Sequence, residues 1–96
     1  MLQIISHVKP KIKSEHFSKY KGAYAVLFIE YKDVDGAFQL AKYYLEEDNW
    51  DIIEIEKEYY VIETKEEMDE EYQQYFDEVT KSGYSLILNL YENDEL

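Results

Sequence analysis

The sequence predicts an α+β fold, a four-stranded antiparallel sheet with two helices on one face, in the order βαββαβ. Three observations carry this. The stretch Ala23–Tyr31 (AYAVLFIEY) is the longest nearly unbroken apolar run, and both of its alternating sets are apolar. Two later stretches carry helical periodicity with start and stop signals. Shifting the chain by 34 residues superposes its halves without a gap.

Residues 1–22 read as a basic N-terminal arm, open to an added strand at Leu2–Ile5 or to one helical turn capped by Ser14. Lys9-Pro10-Lys11 interrupts any strand there, since proline lacks the ladder donor. Residues 23–92 form the βαββαβ domain, and 93–96 an acidic tail.

In the run Ala23–Tyr31, Ala23, Ala25, Leu27, Ile29 and Tyr31 lie on one side and Tyr24, Val26 and Phe28 on the other. A strand apolar on both faces is usually central, with material above and below it. The first helix follows. Asp33 or Asp35 caps it and suits the dipole. Val34, Phe38, Ala41 and Leu45 recur as one stripe, and Asn49 stands where a left-handed residue ends the helix. Trp50–Glu56 and Glu58–Glu63 read as two strands joined near Glu56-Lys57-Glu58, a turn lacking glycine and asparagine, with a bulge as the alternative. Thr64 and Glu67 form a capping box for the second helix. Met68, Tyr72, Tyr75, Phe76 and Val79 make its stripe, and Gly83 ends it. Tyr84–Tyr91 is the last strand.

The repeat aligns Val26 and Phe28 with Tyr60 and Ile62, and Val34, Phe38, Ala41 and Leu45 with Met68, Tyr72, Tyr75 and Val79. It also aligns Asn49 with Gly83, and Trp50 with Tyr84. Two tandem βαβ units give the split arrangement of the ferredoxin-like superfold. RNA-recognition domains of that fold are similar in placing aromatics on the open sheet face, where Tyr24, Phe28 and Tyr60 fall, but their basic-aromatic signature is absent. Acylphosphatases are similar in size, but they need an arginine, and this chain has none. Dimeric α/β-barrel proteins resemble it in architecture alone.

The net charge is −12, and it is unevenly placed. Residues 1–22 carry +4 and residues 23–96 carry −16. Without arginine or a basic body, nucleic-acid binding is not expected. There is no cysteine and no apolar run near membrane-span length, so no signal peptide or membrane contact is expected and the cytoplasm is the default. No catalytic, cofactor or metal constellation stands out. His7 and His16 lie nine apart in the arm, and glycine is too sparse for a phosphate loop. Glu30, Glu54 and Glu63, which interrupt strands, are the carboxylates to inspect in a cleft.

Two functions follow as expectations. One is a small acidic, non-enzymatic interaction module of the inhibitor, immunity or regulatory type, facing a basic protein. The other is a homodimeric barrel with a small-molecule pocket, possible for an enzyme. With both helices over Leu27 and Ile29, the residues Tyr24, Val26, Phe28 and Tyr60 are the expected interface, covered by a second copy, by Leu2–Ile5 or by a partner.

Overall fold

The computed structural model describes residues 1–92, so the acidic tail expected at 93–96 lies outside the described part. The chain is an α+β domain with a four-stranded antiparallel sheet and two helices. The strands are β1 (Leu2–Pro10), β2 (Tyr20–Ile29), β3 (Trp50–Val61) and β4 (Tyr84–Glu92), in the spatial order β3-β1-β2-β4. The helices are α1 (Val34–Glu47) and α2 (Phe76–Ser82). No helix among the described residues is long and apolar enough to cross a membrane.

The apolar run is central, as its two-sided pattern requires. Residues Ala25 to Ile29 of β2 are all buried. Ala23, Ala25, Leu27 and Ile29 face α1, which packs Ala37, Ala41 and Leu45 against them. Alanines on both sides let the helix come close. Asp33 caps α1, its Oδ2 accepting from the Gly36 amide at 3.0 Å. Asn49 ends that unit with φ 66°, and Gly83 ends the next with φ 94°. Both left-handed positions are the aligned pair of the repeat.

Three expectations are corrected. Of the readings open for residues 1–22, the added strand is the one that forms, and it runs past Ile5 through Pro10, where an interruption was expected: β1 is an inner strand paired along its length with β2 and β3. Leu2, Ile4, Ser6 and Val8 alternate into the core. Ser6 is tolerated there because its Oγ donates to the Glu54 carbonyl at 2.8 Å. The loop after β1 touches the core at one point, where the half-buried His16 ring stacks on the fully buried Trp50.

The turn at Glu56-Lys57-Glu58 does not form. These residues bulge within one strand, opposite Ile5 alone, and Ile53 is a second extra residue between Glu54 and Ile52. The two bulges absorb the three residues by which β3 (12 residues) exceeds β1 (9 residues). The two expected strands are therefore one, and the element order is ββαβαβ. One split βαβ unit is present. β2 and β3 run parallel through α1, with β1 between them.

The helices lie on opposite faces. Residue 62 onward leaves the sheet beside Leu2, and β4 begins beside Ile29, which also pairs with Leu2. The connection must therefore cross one end of the sheet sideways, roughly 14 Å at about 4.8 Å per strand. A single helix over 65–82 would run about 27 Å, too long for that crossing. It is broken into 3-10 turns at Lys65–Glu67 and Glu70–Tyr75 before α2. Met68 is extended (φ −83°, ψ 150°) and buried at the break. Like-charge spacings such as Glu66/Glu70 and Glu67/Glu71 further weaken a continuous helix. Ile62, Met68 and Val79 close over Val26 and Phe28.

Two outcomes test this layering. Phe28→Ala lowers stability by about 3–5 kcal/mol in denaturant melts, as for a large side chain removed from a core. A loss under about 1 kcal/mol would mean that the second face is open. The second outcome concerns Glu67, whose carboxylate accepts from the Glu63 and Thr64 amides, in that order of weight, and is thereby held below its ordinary value of 4.5. Such a group contributes stability above its unfolded pKa and loses it as pH falls through the lowered folded value. Glu67→Gln therefore lowers the unfolding midpoint at neutral pH. The gap to wild type closes as the solution is acidified below 4.5. A gap constant with pH would show that the carboxylate's charge contributes nothing.

Candidate interaction surface

The four residues expected at an interface are not one surface. Val26 and Phe28 are 5% and 0% exposed, buried by the chain's own crossing segment. Tyr24 and Tyr60 are about half exposed, at 51% and 52%. They pair with His7 and Gln3, which stand four residues apart on β1, a separation of roughly 13 Å at about 3.3 Å per residue.

Because the connection covers only one end, the other end of the second face carries a polar-aromatic cluster. His7 stacks on Tyr24 with ring centroids 4.5 Å apart, and its Nε2 hydrogen-bonds the Tyr91 hydroxyl at 2.6 Å. Tyr91 lies over Gly22. A Cβ there would sit 2.7 Å from the ring's Cζ and 2.8 Å from the Val8 carbonyl oxygen, so glycine is what lets the ring down. His16 is taken up by Trp50.

Glu30, Glu54 and Glu63 are exposed. So is every other described carboxylate except Asp51, which is half-buried. Among the described residues, the buried polar side chains are Ser6 and Ser85, and both are hydrogen-bonded. Among the described residues, no three histidine or acidic side chains gather where they could hold a metal.

A concavity of about 510 Å³ runs along the outer side of β4. Its walls come from both faces of the sheet. On the first face, Tyr44 of α1 stacks on Tyr84 with centroids 3.7 Å apart, followed by Glu47 and Asp48. On the second, Glu78 of α2 accepts from Ser85 Oγ at 2.9 Å. Leu86 and Leu88 of the strand line the floor. Three carboxylates and no lysine border the groove. Sequence reasoning missed it, though one signal was available: Tyr84–Tyr91 has no charge in a chain that is 33% charged.

No protein-family model, no curated protein and no solved structure matches this chain.

The cluster on the open end yields a stability test. Tyr91→Phe removes the bond to His7 and keeps the ring over Gly22, so it costs about 0.5–1.5 kcal/mol in thermal or denaturant melts. An unchanged midpoint would show that the contact is not formed in solution.

Proposed function

We propose that this chain is a small acidic, non-enzymatic protein-interaction module, of the inhibitor, immunity or regulatory kind, that meets a basic partner surface in the cytoplasm. One observation supports it above others: the acidic charge is left facing solvent. Lys11, which reaches Glu46 and Asp51, is the one lysine in an ion pair among the described residues. Every described carboxylate but the half-buried Asp51 is exposed, and the net charge is −12. Uncompensated surface charge of one sign steers an oppositely charged partner and rejects like-charged ones.

The competing reading, a homodimeric ferredoxin-like barrel with a small-molecule pocket, needs an open apolar face. Val26 and Phe28 are covered within the chain, so that premise is weakened. The fold relation we propose is limited to the single split βαβ unit.

The test is capture on the immobilised protein across a salt series, from about 0.1 M to about 1 M, over which the screening length falls from about 10 Å to about 3 Å. Basic proteins are retained at low salt and released along the series. Retention of acidic proteins only, or capture insensitive to salt, would overturn the proposal.

A further inference from the structure

Resting on that reading, we infer that β4 is the docking edge, and that the partner supplies an extended segment of alternating apolar and basic residues that joins the sheet as a fifth strand.

The two edges of the sheet are built differently. β3 has two bulges, and its middle is Glu54, Glu56, Lys57 and Glu58. Bulges and charges are how edge strands are kept from pairing. β4 has neither device from Tyr84 to Tyr91, apart from one register shift at its far end, opposite Tyr20 and Gly22. Among the described residues its only strand neighbour is β2. In an antiparallel pair, alternate residues turn their N–H and C=O away from the partner strand. The outer side of β4 therefore carries a row of donors and acceptors along the groove.

The groove selects the occupant. Side chains of an added strand alternate between the two faces. Toward the first face they meet Tyr84, Leu86 and Leu88, and beyond them Glu47. Toward the second they meet Glu78. An apolar side chain suits the leucines and a lysine or arginine suits the carboxylates. A second copy of this chain fits poorly, because its own β4 brings no basic residue to these acids and ends in Glu92. Like charges brought together across an interface oppose association.

The experiment titrates isotope-labelled protein with a short peptide of alternating valine and lysine, following amide exchange in β4 and the salt dependence of affinity. Two comparison peptides are an oligolysine and the same valine–lysine peptide with prolines at alternate positions. The alternating peptide protects the outward-facing β4 amides, and the proline version does not, since it cannot complete a ladder. Glu47→Lys with Glu78→Lys, both exposed in wild type, weakens binding about tenfold or more. If oligolysine binds as well and β4 amides stay unprotected, the edge is not the site, while the basic-partner reading stands. If neither peptide binds at any salt, both fall. If the outward-facing β4 amides are protected without peptide and the protein sediments as a dimer, the occupant is a second copy and the inference is overturned.

Discussion

An inner strand that is apolar on both faces cannot be left with one face in water, and the layers of this domain answer that constraint. Each large apolar side chain buried stabilises by roughly 1.5–3 kcal/mol, a sizeable share of what a small domain has in total. α1 closes one face of β2 over Leu27 and Ile29. The connection from β3 to β4 closes the other over Val26 and Phe28. On the first face Ala37 and Ala41 of α1 belong to one cluster with Ala23 and Ala25, alongside Leu27, Ile29 and Leu45, while the second is covered by long side chains such as Met68 and Tyr72, with the Tyr72 ring edge-on to Phe28 at 5.7 Å.

The second cover is a compromise between span and charge. It has a strand-to-strand distance to cross, and its sequence is dense in acids at helical spacing. Breaking the helix at Met68 shortens the path and lets that residue point inward. The cost is coverage, since only one end of the face is closed. At the other end, polarity substitutes for burial. The His7–Tyr91 bond and the glycine under Tyr91 let the rings gather there with their polar atoms paired to each other.

The sequence made the centre of the fold legible because the relevant signals are local. The two-sided pattern of Ala23–Ile29, the Asp33 cap, and the left-handed stops at Asn49 and Gly83 each depend on a few neighbouring residues. β1 was obscured by Ser6 and His7, polar residues whose partners lie far along the chain at Glu54 and Tyr91. The repeat holds at its left-handed stops, Asn49 and Gly83, but not in topology, since β2 and β3 are parallel while β3 and β4 are antiparallel, and the shared strand was split in two. Glu56-Lys57-Glu58 reads as a break, and nothing local separates a bulge from a turn. That one choice also placed α2 on the wrong face. Of the groove along β4 only the uncharged strand was legible, because Tyr44, Glu78 and Leu86 come together only once both covers are in place.

The bulged, charged β3 edge has a consequence for assembly. A sheet with two receptive edges can link to copies of itself without end, since each unit offers a fresh terminus to the next, the topology of a fibre. Here Glu56-Lys57-Glu58 bulges out of register on one edge. With that edge closed to pairing, a strand added at β4 would leave no further edge to extend, and growth would stop after a single addition.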